Sequence, residues 1–144
     1  MSHQKIIQLF PNLSAGDCSI TSPISLSYNC IAWAAGDTSK VWWPDLRNIG
    51  YWPSGVPRIA AIESFISAFA TLGYSICQSA AHESAFEKIA LYTKPTGRPT
   101  HAARQLNSGR WTSKIGRMED IEHDLNELNG TEYGTVACIM KRPV

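Results

Sequence analysis

The hydrophobic repeat of this chain changes period once, at Gly73. Before it, Ile59, Ile62, Phe65, Ile66, Phe69 and Leu72 recur at spacings of three and four, which marks one apolar face of a helix. Pro57 suits a first helical position and Gly73 closes the run, so a helix is expected across 57–73. After Gly73 the period becomes two. Segments 74–77, 87–92, 100–106, 111–115 and 133–140 read as strands bounded by turn residues. A second, shorter helix is expected at 29–35 (NCIAWAA), stopped by Gly36, and a third over 119–128 (EDIEHDLNEL). Helices first and an antiparallel sheet of about five strands second make an α+β chain. The apolar helix stripe is core packing before it is anything else.

With 144 residues, that inventory leaves room for one domain over 1–144. Residues 1–24 read as an irregular segment and 25–144 as the core. Apolar residues make up 44% and charged residues 17%, enough apolar material to exclude a disordered chain. The segment 37–56 carries Trp42, Trp43, Tyr51 and Trp52 with Pro44 and Pro53 and no periodicity. It is expected to be a long loop packed by its own aromatics. The start, MSHQKIIQLFPNLSAGD, holds no apolar run of signal-peptide length, and no stretch approaches a membrane span. The expectation is a cytoplasmic protein without a membrane partner, delivery as an effector by a specialised machine being compatible with it.

The net charge of +1 hides a division. Lys94, Arg98, Arg104, Arg110, Lys114 and Arg117 fall in a stretch without acids. Glu119, Asp120, Glu122, Asp124, Glu127 and Glu132 fall in the next one, without Lys or Arg. A basic hairpin and an acidic segment that attract each other account for this. A nucleic-acid or phosphate-binding hairpin over 94–117 is the alternative. On a helix, Asp120, His123 and Asp124 would share a face at i, i+3 and i+4. That reads as a solvated face, and no metal or cofactor is expected.

The cysteines are Cys18, Cys30, Cys77 and Cys138, with no CxxC pair, which argues against a zinc knuckle or a redox dithiol. They read as reduced thiols, most of them buried. Cys30 stands apart because Ser27, Tyr28 and Asn29 precede it. A Ser or Asn cap places Cys30 in a first helical turn, where backbone N–H groups favour an anion. Its N–H, with Asn29, would steady an oxyanion. Of the four histidines, His3 lies in the terminal tail, His82 in a polar loop and His123 among acids. His101 opens the strand THAARQL, sharing a face with Ala103 and Gln105. The loop Asn107-Ser108-Gly109, if three residues long with Gly109 left-handed, pairs Leu106 with Arg110. Ser113 then lies diagonally beside His101. A two-residue loop would put Lys114 there instead. Asp120 is the runner-up as the group orienting the imidazole. Trp42, Trp43, Trp52 and Gln105 are candidate walls of a substrate cleft.

A Cys opening a helix after Tyr-Asn, then an amphipathic helix, then a His starting a strand is the chain order of papain-fold cysteine peptidases, and the compact NlpC-like amidases are nearest in size. The segments YNCIAWAAGD, WWP, PTHAARQLNSGRWTSKIG and EDIEHD also resemble a family of small bacterial domains of unknown function. The resemblance implies a papain-like core over 25–144 and a catalytic Cys30–His101 pair with a polar third residue. NlpC-like enzymes place His, Asn or Gln there, whereas Ser113 stands here. The function this implies is a cysteine-dependent hydrolase or acyl transferase acting on an amide bond of a peptide or protein. The alternative is a catalytically inert binding module of the same fold.

Overall fold

The computed structural model describes residues 2–15, 19–116 and 118–144, and the side chains of 4–13, 19–116 and 118–144. Cys18, Arg117 and the His3 side chain lie outside the described residues. The chain forms α1 (Ser2–Leu9), a 3₁₀ turn (Pro11–Ala15), β1 (Ser19–Ser22), α2 (Cys30–Ala35), α3 (Ile62–Ala70), β2 (Ser75–Cys77), β3 (Phe86–Thr93), β4 (Pro99–Gln105), β5 (Trp111–Lys114), β6 (Asp120–His123), a second 3₁₀ turn (Leu125–Leu128) and β7 (Thr135–Pro143). The strands make one antiparallel sheet in the order β1-β6-β5-β4-β3-β7-β2.

This architecture overturns the papain-like expectation. Seven strands carry the fold where about five were expected, and the described helices are few and short. Two apolar clusters form. One holds α2, α3, Trp42 and Trp52 with Ile89, Leu91, Ala102 and Met140. The other holds Ile6, Phe10 and Leu13 with Ala90, Tyr92, Ala103, Trp111, Ile115 and Ile121. Alternate residues of β3 and β4 therefore feed opposite clusters, as the two faces of a pleated strand must. The described residues of 1–24 are mostly regular, in α1, a 3₁₀ turn and β1, and Ile6, Phe10 and Leu13 bury one stripe of α1 and its following turn.

Two further expectations fail for identifiable reasons. The helix expected from 57 begins at Ile62. The Pro57 carbonyl is taken by the Trp52 indole N–H at 3.0 Å, and Arg58 donates to the carbonyls of Asp45 (2.7 Å) and Gly50 (2.9 Å). Those bonds hold the chain out of helical geometry. The helix expected at 119–128 is a strand followed by a 3₁₀ turn. Asp120–His123 pairs with β5 on one side and β1 on the other, so ladder bonds from both neighbours override local propensity. Asp124 and Glu127 form a capping box that starts the turn at Leu125. As a strand, 120–123 sends Asp120 and His123 to opposite faces, and the shared helical face does not exist.

Candidate active site

Cys30 is the first residue of α2. Asn29 caps it: its Oδ1 accepts from Ala32 N (3.1 Å) and Trp42 N (3.0 Å), and its Nδ2 donates to the Trp42 carbonyl (2.7 Å). Asn29 thus holds the helix start to the 37–56 loop, with one of its two amide N–H groups used on the Trp42 carbonyl. Gly36 ends α2 in the left-handed conformation at φ 84°. The thiol sits at the floor of a cleft of ≈ 410 Å³ lined by Leu26, Tyr28, Asn29, Val41 and Gly116. Its sulfur lies 4.0 Å from the Thr100 carbonyl oxygen. Burial pushes the thiol up to about 11. The N–H groups of Ala102, Ile31 and Cys30, and the Lys114 cation, favour the thiolate but do not outweigh burial. Cys30, Cys77 and Cys138 are all free thiols.

His101 lies in β4, and the sheet is irregular at that place. Tyr92 pairs with His101 while Thr93 pairs with Pro99, which leaves Thr100 as an extra residue. β7 shifts register against the same residue of β3, between Cys138 and Val136. Such bulges re-aim side chains. Thr100 turns its carbonyl to Cys30, and its hydroxyl donates to the Tyr133 carbonyl (2.6 Å) with the Tyr92 carbonyl 3.3 Å away. The sulfur therefore meets β4 at the residues just before and just after His101. The His101 ring itself packs in the second cluster, stacked on Tyr133 (4.1 Å between centroids, 8° between planes) and edge-on to Tyr92. No hydrogen bond joins Cys30 to His101. Tyr133 spans both: its ring covers His101, its hydroxyl accepts from the Gly116 N–H, and burial and then Cys30 push its pKa up, which keeps the phenol protonated.

The β4–β5 hairpin has the three-residue loop: Leu106 N donates to Arg110 O (2.7 Å), and Gly109 has φ 92°. Arg104 pairs with Thr112 and Gln105 with Trp111. Ser113 Oγ then stands 2.9 Å from His101 Nε2 and 2.7 Å from His123 Nε2, and His123 Nδ1 stands 2.7 Å from the Asp124 carbonyl. This chain has one proton arrangement when both rings are neutral. A carbonyl only accepts, so His123 carries its proton on Nδ1 and accepts at Nε2. Ser113 donates there, and its oxygen accepts from His101 Nε2–H. His101 is left with a lone pair on Nδ1, which is buried and has no partner among the described residues.

Both rings are neutral. Burial, then His123, lowers His101 well below 6.5. Burial brings His123 to about 4 against the Asp124 carbonyl's opposing effect. These shifts fix a pH dependence of stability. The unfolded histidines take up protons as pH falls through 6.5, and the folded ones do not, so the unfolded state gains. Stability is at its plateau above pH 6.5 and falls from there towards pH 4. The His123 shift alone corresponds to about 3 kcal/mol. Urea midpoints at pH 7.5 and pH 4.5 test this, and a Ser113→Ala/His123→Leu double variant should lose part of the slope.

The remaining candidates lie elsewhere. Asp120 does not orient His101. It is fully buried on the other face, where its Oδ2 accepts from the Tyr28 hydroxyl at 2.6 Å, a bond that with burial raises Tyr28 to about 12. Lys114 lies beside it, fully buried, its ammonium on the carbonyls of Gly116 and Met118. Trp42 and Trp52 are buried in the first cluster and do not wall the Cys30 cleft. Trp43 lines a neighbouring groove. Gln105 donates to the carbonyls of Ala80 and Gly109. In the basic stretch, Lys114 is buried and Arg110 lies within 3.5–3.7 Å of Glu122, Asp124 and Glu127, so the two charged stretches face each other. His123 and Tyr133 are the residues that sequence reasoning missed. His123 was readable only as part of an acidic helix, and nothing local marks Tyr133 as a neighbour of His101.

A family model, a domain of unknown function (DUF7689), matches residues 19–141. No curated protein and no solved structure matches. Among the described residues, no helix is long and apolar enough to cross a membrane.

Proposed function

We propose that this chain, which belongs to the DUF7689 family of domains of unknown function, is a cysteine-dependent hydrolase or acyl transferase acting on an amide bond. Cys30 is the nucleophile and His101 the base. The observation that carries the reading is the proton chain from the Asp124 carbonyl through His123 and Ser113, which leaves the lone pair of His101 at Nδ1. A buried acceptor without a partner costs about 1–3 kcal/mol, and such local violations concentrate at functional sites. Cys–His chemistry recurs on unrelated folds, so the reading does not need a papain-like core.

The thiol and the imidazole rest as a neutral pair. Hydrogen bonds of this kind are often long before substrate arrives, and the sulfur already meets β4 at Thr100 and Ala102, on either side of His101. Nδ1 takes the thiol proton as the sulfur attacks the amide carbonyl carbon. The C–N bond then breaks, and the same proton passes to the leaving amine. Water, deprotonated by Nδ1, cleaves the thioester and restores the thiol. Ser113 holds Nε2–H throughout. It lacks the charge of a carboxylate, which fits a site where the imidazolium exists only in passing.

The test is intact-protein mass after incubation with an N-acyl p-nitroanilide. A thioester adduct on Cys30, absent in Cys30→Ala and released with time, is the expected result. An unmodified protein with every acyl group tried would overturn it.

A further inference from the structure

We infer that Lys114 is a positioning residue for the nucleophile, a fixed cation beneath the Cys30 cleft that favours negative charge on the sulfur; this deepens the function just proposed. β5 divides its residues between the two faces of the sheet. Ser113 faces His101, its Oγ 2.9 Å from Nε2. Thr112 and Lys114 face the first cluster with Cys30. There the Trp33 indole of α2 donates to Thr112 Oγ1 (3.0 Å), and the Lys114 ammonium lies 5.5 Å from the centre of the Tyr28 ring. Neighbouring residues of one strand thus attend to the imidazole and to the thiol.

The cation is built in. Lys114 is fully buried, and its ammonium donates to the carbonyls of Gly116 and Met118. Tyr28 and Gly116 also line the cleft that holds Cys30. The acids facing Lys114 are Asp120, paired with it on β6, and the adjoining Glu119; both favour its charged form, as Cys30 does. Among the described residues, carbonyl oxygens alone take its hydrogen bonds, while Asp120 accepts from the Tyr28 hydroxyl. The charge is therefore only partly compensated where it stands. A buried ammonium is costly, and the turn at 115–118 does not need one. Ile115 N donates to Glu119 O (3.1 Å) and Met118 N to Ile115 O (2.7 Å), which closes the turn with backbone alone. What a buried cation adds is its field, and that acts more strongly in a dry site than in water.

Two alkylating agents read that field. Iodoacetate is an anion, and iodoacetamide is neutral and of similar size, so their rate ratio reports the potential at a thiolate. At pH 7 the ratio at Cys30 should exceed that of N-acetylcysteinamide by about threefold or more. Lys114→Met and Lys114→Gln should both return it to the reference and slow iodoacetamide at Cys30 by about tenfold. Gln is the discriminating variant, because it keeps N–H donors for the Gly116 carbonyl and loses only the charge. A Gln variant that reacts like wild type would show a residue that merely ties the turn, and would overturn the inference. So would a wild-type ratio no higher than the reference. The Gly116 N–H meets the Tyr133 hydroxyl, which gives Lys114 a second path, to the His101 ring. The inference predicts the same fold loss for Lys114→Gln with and without His101→Gln; a loss seen only with His101 present would overturn it. Alkylation needs no acyl substrate, so these outcomes stand apart from whether a p-nitroanilide acylates Cys30, which decides the proposed function.

Discussion

Replacing His101 by Gln is expected to lower acylation of Cys30 at pH 7 by about a thousandfold. The Cys30 thiol, raised to about 11, is ionised in roughly one molecule in ten thousand at pH 7. Without a base the site depends on that fraction. A positioned base supplies about 10²–10⁴ in rate. Gln is the informative substitution because its side-chain amide can still donate to Ser113 as Nε2–H does, while nothing replaces the lone pair of Nδ1. The protein should fold as wild type by circular dichroism, with a thermal midpoint within a few degrees. A structural histidine would give the opposite pattern, with stability lost and Cys30 reactivity unchanged. Single-turnover rates with an N-acyl p-nitroanilide make the comparison.

Replacing Gly134 by Ala should cost about 3 kcal/mol or more and disable the site with it. Gly134 has φ 78°, and a Cβ there would lie 1.9 Å from the Thr93 carbonyl oxygen and 2.6 Å from its carbon. Both are backbone atoms at the end of β3, a strand paired on both sides, and cannot rotate away, so the 130–134 loop must move. Tyr133 would move with it, off the His101 ring, and the Thr100 hydroxyl would lose its 2.6 Å bond to the Tyr133 carbonyl. Gly97→Ala is the matched control. Its φ is 89°, but nothing lies within 4 Å of its Cβ, so only the left-handed strain of about 1 kcal/mol applies. Thermal midpoints should fall by roughly 10 °C for Gly134→Ala and by a few degrees for Gly97→Ala. Equal shifts would show that the loop yields freely and does not hold Tyr133 in place.

The legible parts of this fold were those fixed by local signals. Asn29 and Gly36 bracket α2 as cap residues do. The alternating runs mark β2, β3, β4, β5 and β7 to within a few residues. Gly109 fixes the β4–β5 register, and through it the place of Ser113. What escaped depends on partners distant in sequence. β1 and β6 are short and polar, and they are strands because each has an edge to pair with. Asp120–His123 looked helical because charge spacing was read without the sheet beside it. The architecture failed for the same reason: the order of helix, helix and strands matches the papain-like pattern, whereas the seven-stranded pairing order is set by contacts across the whole chain. At the site, the neighbourhood of Ser113 and His101 could be reached by counting along a hairpin. The relay to His123 required knowing that β6 flanks β5. The aromatic loop was legible as a self-packed element, but the residue it contributes to the Cys30 cleft is Val41 and not a tryptophan.

The pH dependence of Cys30 alkylation by iodoacetamide, followed site by site by mass spectrometry, tests most directly whether His101 serves this thiol. Transfer of the thiol proton to Nδ1 neither takes up nor releases a proton overall, so its contribution does not vary with pH. The rate at Cys30 is expected to be flat from about pH 6.5 to 8.5 and to rise only beyond it. A rate that instead climbs tenfold per pH unit across that whole range, towards about 11, would describe an isolated buried thiol with no base and would contradict the account.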